Sequence, residues 1–154
     1  MNVDVSGTER GDINAGEIGD FASAVLEREG VDPESALSIA FIDEQEIARL
    51  NVEYMGKEGP TDVLSFPIED ARPNDPPRRS RGGPPLELGD IFICPAVVES
   101  HAASFGVSFR SELHLMVAHG VLHILGWDHQ TETEAEAMET REVEHLATIG
   151  LERR

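Results

Sequence analysis

Three histidines crowd into the segment His119-Gly120-Val121-Leu122-His123-Ile124-Leu125-Gly126-Trp127-Asp128-His129. On a helix, His119 and His123 are one turn apart and project from the same face, where two imidazoles can grip one ion. Gly126 stands where a helix would end in a left-handed residue, a conformation only glycine adopts cheaply. The reversal it permits brings back His129 as a third ligand. Three neutral imidazoles on a small ion leave a fourth position open, which is the layout of a catalytic zinc site. Half of the chain's six histidines fall here, a concentration that scattered surface or core histidines do not explain. Zinc, one ion per chain, is the first choice, although imidazole also suits nickel, copper and iron.

The same ligand spacing occurs in metzincin proteases, with one difference. There a glutamate follows the first histidine and acts as general base. Here that position is Gly120, which cannot take a proton and would leave the approach to the ion open. Asp128, next to the third histidine, either orients a ligand ring or holds the turn. Glu112 lies two turns before His119 and only about 20° from it on the helical wheel. It is about 10 Å up the axis, too far to bind the ion with His119; it is a candidate for reaching substrate or a group behind the ligands, and equally an acid favoured in a first helical turn. His114 falls with Leu113, Val117, Val121, Ile124 and Leu125 on the opposite, core face and reads as a packed histidine. His101 reads as a surface residue. His145 reads as packed or half-exposed, with no evident partner.

The histidines require a long helix, about Phe109 to Leu125, capped by Ser108. Ahead of it, Val3 and Val5 alternate in a weak strand. Ile18, Phe21, Ala22, Val25 and Leu26 mark a helix from Ala15 to about Glu29, ended by Gly30. Leu37, Ile39 and Phe41 alternate in a strand. Asp43 and Glu46 form a capping-box pattern before a short helix with Ile47 and Leu50 inward. Val63 to Phe66 reads as a strand that Pro67 confines to a sheet edge. Such an edge, with Ser65 on it, is either an ordinary edge or a rail beside an extended substrate. Leu88 to Cys94, nearly all apolar, reads as a central strand. Pro95 opens a helix to about Ser104. Thr131 starts a last helix with Ala135, Met138, Val143 and Leu146 inward. Between the strands, residues from about 70 to 87 form a loop in which Pro73, Pro76, Pro77, Pro84 and Pro85 exclude regular structure. Arg72, Arg78, Arg79 and Arg81 make it either a solvated loop or a basic flap for phosphates.

The histidine segment strongly resembles the YbeY family of bacterial metal-dependent endoribonucleases, and the stretches Leu50 to Pro67, Gly89 to Ile93 and Glu112 to His129 match that family in order. The resemblance implies an α+β fold, a small mixed four-stranded sheet packed against about five helices, with the metal on the long helix and the following turn. It implies zinc on His119, His123 and His129. It also implies cleavage of single-stranded RNA in ribosomal RNA maturation, especially at the 3′ end of the small-subunit RNA, and in ribosome quality control. The ribosome or ribosomal proteins would be further partners. One position departs from the pattern: many family members carry arginine where this chain has Met55, which cannot bind a phosphate. Lys57 or a loop arginine would have to substitute. Lys57 and Glu112 are then the candidate catalytic residues, and Ser65, Arg78, Arg79 and Arg81 the candidate substrate contacts. A zinc metallopeptidase and a non-enzymatic, zinc-containing ribosome-assembly factor are the alternatives.

Length and composition bound the rest. The chain of 154 residues suits one domain with a proper core. No apolar run approaches the roughly 20 residues of a membrane span. No signal peptide is visible. Cys94 is the sole cysteine, so no intrachain disulfide forms, and a reducing cytoplasm fits. Thirty acids against twelve bases give a formal net charge of −18. Such a surface repels nucleic acid at long range, so an RNA substrate requires concentrated basic groups or screening by salt.

Overall fold

In the computed structural model, which describes residues 1–154, the chain runs β1 (Asn2–Ser6), α1 (Ala15–Arg28), β2 (Ser35–Phe41), α2 (Glu44–Leu50), a π-helical turn (Asn51–Met55), β3 (Val63–Pro67), β4 (Leu86–Ile93), α3 (Pro95–Phe105), α4 (Phe109–Ile124) and α5 (Glu132–Ala147). This is an α+β fold with one mixed four-stranded sheet in the order β1-β2-β4-β3. β1 and β4 flank β2 and run parallel to it, and β3 runs antiparallel to β4 at the edge opposite β1. The edge position expected of β3 and the central position of β4 are both found.

Side-chain caps start the helices where the sequence places them. Asn14 accepts from the backbone N–H of Glu17, Asp43 from Glu46, Ser108 from Ser111 and Thr131 from Glu134. Each satisfies a donor that the helix itself cannot. The capping box at Asp43 is only half made, because Arg49 engages the Glu46 carboxylate. The loop from 70 to 87 is irregular except where Arg72 pairs with Asp75 across Asn74, whose φ is 63°. Asparagine tolerates that left-handed conformation better than most residues.

Leu37, Ile39 and Phe41 of β2 and Leu88, Ile91 and Ile93 of β4 are buried in one large apolar cluster with α1, α4 and α5. Each such side chain contributes about 1.5–3 kcal/mol by leaving water. A small satellite joins Ile47, Leu50, Leu64 and Cys94. α4 sits at the centre, packed against α1, α3, α5, β3 and β4. It is buried nearly all round rather than on one face: Leu115, Met116, Ala118 and Leu122 are inside with the expected Leu113, Val117 and Val121. Beyond its first turn, His119 and His123 are the only residues of α4 that are not buried.

Close approach of α4 to the sheet depends on two glycines. A Cβ on Gly120 would lie 3.0 Å from Cγ2 of Ile91 and 3.4 Å from Oγ of Ser65, and one on Gly89 would lie 2.8 Å from Cδ1 of Ile124. Gly120 therefore faces the sheet. The expectation that it keeps the approach to an ion open is corrected: its missing side chain makes room for β3 and β4.

Candidate functional site

His119 and His123 leave the core on the one stripe of α4 that reaches solvent, and the chain then reverses at Gly126 (φ +92°). That turn admits only glycine. Besides the left-handed backbone, a Cβ there would sit 2.8 Å from Cα of Arg72 and closer still to the carbonyl of Ala71. Two backbone bonds, Gly126 N–H to His123 O and Trp127 N–H to Leu122 O, both 3.0 Å, close the helix end. Trp127 is buried beneath the turn. The carboxylate of Asp128 accepts from the backbone N–H of His129 at 2.8 Å. Of its two possible roles, Asp128 holds the turn, and it touches no histidine ring through a hydrogen bond.

The three rings converge. One nitrogen from each of His119, His123 and His129 lies within 4.8 Å of the other two. Their partners fix the tautomers. The Nδ1–H of His119 donates to Oε2 of Glu142 at 3.0 Å, and the Nδ1–H of His123 donates to the backbone carbonyl of Trp127 at 2.8 Å. A carboxylate and a carbonyl can only accept, so in both rings Nε2 carries the lone pair. These two Nε2 atoms face each other at 3.0 Å. With no proton between them that arrangement is repulsive, and a cation makes it attractive. Burial, together with the unfavourable placing of a second positive ring beside His119 and His129, pushes the His123 imidazole down to about 4. It is therefore neutral and able to ligate at neutral pH. The donor set and its orientation fit a metal ion of the zinc type.

Glu142 was not foreseen. It sits on α5, is 1 % exposed, and gives one oxygen to His119 and the other to Nε of Arg153 at 3.2 Å. Burial alone would raise its pKa, but the hydrogen bond from His119 and the charge and hydrogen bond of Arg153 outweigh burial and hold it below the usual carboxylate range. It occupies the inward stripe of α5 with Met138, His145 and Leu146, whereas Val143, expected there, is 49 % exposed. Val143 lies about 140° from Met138 on the wheel. A glutamate on an apolar stripe was the available signal.

The other expected site residues divide. Glu112 is in the core, 1 % exposed, with both oxygens held by Nε and Nη2 of Arg154 at 3.0 Å each. A carboxylate so engaged is not free to take a proton from substrate, and its candidacy as a catalytic acid or base is corrected to a buried ion-pair partner. Ser65 donates its hydroxyl to the carbonyl of Gly120 at 3.0 Å, strapping β3 to α4. Lys57 is exposed on the turn after the π-helical segment and has no ion-pair partner. Arg79 donates to the carbonyl of Gly83 at 2.7 Å and lies 3.9 Å from Asp32, at the α1–β2 connection. Arg78 and Arg81 are exposed. The loop does meet the histidine turn, but through Ala71 and Arg72.

The remaining histidines are structural. His114 is buried, with Nδ1 donating to the carbonyl of Arg110 at 2.8 Å, and burial lowers its pKa. His101 is 3.3 Å from Asp62. His145 is fully engaged between Glu29 and Arg28. The largest cleft, about 630 Å³, lies along α1 near Glu17, Asp20 and Ile149, away from the histidine turn. A smaller cleft of about 150 Å³ borders the histidines and is lined by Asp62, Val63, His119, Glu142, Arg153 and Arg154, with Leu115 and Met116 behind them.

Comparison with known proteins agrees with this geometry. The family model described as endoribonuclease YbeY matches residues 7–150. Relatives named endoribonuclease YbeY include one from Acidothermus cellulolyticus, 37 % identical over 100 % of this chain and 94 % of that protein. Another, from Thermobifida fusca, is 37 % identical over 96 % of this chain and 93 % of its own length. A third, from Bifidobacterium longum subsp. infantis, is 40 % identical over 90 % and 74 %. A Thermotoga maritima protein solved in solution shares the fold at a TM-score of 0.61 and 25 % identity, covering 96 % of this chain and 91 % of that one.

Proposed function

Because this chain belongs to the endoribonuclease YbeY family, we propose that it is a zinc-dependent endoribonuclease that cleaves single-stranded RNA, acting as one domain in the maturation of ribosomal RNA. Its substrates on this reading include the 3′ end of the small-subunit RNA, and it also serves ribosome quality control in contact with the ribosome or ribosomal proteins. The observation that carries the reading is the pair of Nε2 lone pairs of His119 and His123 facing each other at 3.0 Å, with His129 beside them.

His119, His123 and His129 would hold the ion. When bound, a divalent ion supplies Lewis acidity toward a phosphoryl oxygen and lowers the pKa of a coordinated water. The chain's own residues prepare that site. Glu142 keeps the proton of His119 on Nδ1, and the Trp127 carbonyl does the same for His123. Gly126 and Asp128 set the backbone that returns His129. Lys57 and the exposed Arg78 and Arg81 would offset phosphate charge as RNA approaches.

The peptidase alternative loses its general base. Gly120 faces the sheet and Glu112 is locked by Arg154. The experiment that tests the reading presents single-stranded RNA and casein to one preparation, with and without chelator. Chelator-sensitive RNA cleavage with intact casein is expected. Chelator-sensitive proteolysis with intact RNA would overturn it.

A further inference from the structure

Of the twelve cationic side chains, the two that line the cleft beside His119 are Arg153 and Arg154. Neither is a freely solvated surface cation. Arg154 is clamped by both oxygens of Glu112 and lies over the ring of Phe105, 3.8 Å from its centroid. Arg153 donates through Nε to Glu142 at 3.2 Å and through Nη1 to the carbonyl of Arg154 at 3.0 Å. Its Nη2 is 3.6 Å from Oε1 of Glu139, a carboxylate that is 54 % exposed, beyond good hydrogen-bond distance.

Nε of Arg153 is thus fixed by a buried acid and Nη1 by a backbone carbonyl, which leaves Nη2 as a donor with a weak, displaceable partner. A guanidinium held this way has little rotamer freedom left to lose on meeting an anion. The neighbouring Asp62 is engaged by Thr61, by its own strand's Val63 N–H and by His101.

We infer that Arg153 is a phosphate-binding residue, taking through Nη2 a phosphate of single-stranded RNA that lies in the cleft beside His119. The inference rests on the endoribonuclease reading and extends it to a subsite. It also bears on the charge problem: in a chain of net charge −18, short-range, charge-assisted bonds beside the histidines add to what the few exposed bases supply.

The test compares Arg153→Gln and Arg153→Lys with the parent chain. RNA cleavage by the zinc-loaded proteins is resolved into KM and kcat, and anisotropy of a labelled single-stranded RNA on the chelator-treated proteins is followed across a salt series. Zinc content and Tm are measured alongside. Arg153→Gln is expected to raise KM and the RNA Kd about tenfold, with kcat within about twofold. The slope of log Kd against log salt should fall by about 0.7, one phosphate contact on a single strand. Zinc content should hold because Glu142 still accepts from His119, Tm should fall as Glu142 loses a partner, and Arg153→Lys should recover part of both losses. Unchanged Kd and slope would overturn the inference. So would a loss of RNA affinity that comes with lost zinc and an unaltered slope, since Arg153 would then act only through Glu142. If the parent chain cleaves RNA and the variant matches it, the subsite alone is wrong. If the parent chain does not cleave RNA, the endoribonuclease reading falls as well.

Discussion

Helix α5 carries two histidine–glutamate–arginine clusters one turn apart, the second with one more arginine. Glu142 joins His119 to Arg153, and His145 joins Glu29 to Arg28, with Arg141 donating to the same Glu29 carboxylate. Both glutamates are buried and both are held below the usual carboxylate range against the opposing effect of burial. The difference lies in the histidine. Nδ1 of His145 accepts from Nε of Arg28 at 3.2 Å, and its Nε2–H donates to Oε2 of Glu29 at 2.7 Å. No ring nitrogen is left over. His119 uses only Nδ1 on its glutamate and points Nε2 at His123. One cluster is closed and staples α1 to α5, while the other is open and can bind something. A histidine–carboxylate pair does not by itself identify a functional site, but an unused nitrogen aimed at other unused nitrogens does.

The largest effect that separates the clusters is on activity. His123→Ala is expected to reduce RNA cleavage to background and to abolish stoichiometric metal, whereas His145→Ala should keep both in whatever fraction stays folded. Gel assay and elemental analysis of the two variants check this. Stability should show the converse. Glu29→Ala strands Arg141 and His145 inside the protein, and breaking a buried charged network of this kind costs roughly 3–5 kcal/mol. Denaturant unfolding should show that loss with metal content intact. Glu142→Gln, the matching change in the open cluster, is expected to weaken metal binding about 10- to 100-fold, measured by competition with a chelating dye.

A pH effect probes the core beneath both clusters. Burial holds His114 neutral, with its pKa below the ordinary value of 6.5. The unfolded chain then binds more protons than the folded one as the solution is acidified through that value. The contribution is present above pH 6.5 and is lost as pH falls below it. Tm measured from pH 7.5 to 5 should fall, and His114→Gln should fall less steeply. The smallest expected effect concerns the position that departs from the family pattern. Met55 is exposed on the π-helical turn, and Met55→Arg should raise RNA cleavage roughly two- to fivefold, the range of an exposed charged contact. An unchanged or lower rate would place position 55 outside the working site.

The open cluster was half legible in the sequence. His119, His123 and His129 announced themselves because helical spacing and a glycine turn are local facts. So did the strands of β2 and β4, through alternation and apolar runs, and the edge position of β3, through Pro67. Glu142 and Arg154 were invisible because their partners, His119 and Glu112, lie on another helix, and Arg153 because its partner is Glu142 itself; one sequence carries no pairing information. Val143 misled for a related reason. The inward stripe of α5 contains Glu142 and His145, so the apolar pattern was broken where the chemistry is, and an isolated exposed valine costs little. Glu112 misled because the wheel gives direction without depth. It lies on the side of His119, but inside the protein with its charge already answered.

The most direct test of the contrast is metal per chain, measured by elemental analysis on purified parent protein, His119→Ala and His145→Ala. One ion in the parent, none in His119→Ala and one in folded His145→Ala is the predicted result. Full retention of metal by His119→Ala, or its loss from a folded His145→Ala, would contradict the assignment of the open cluster as the metal centre.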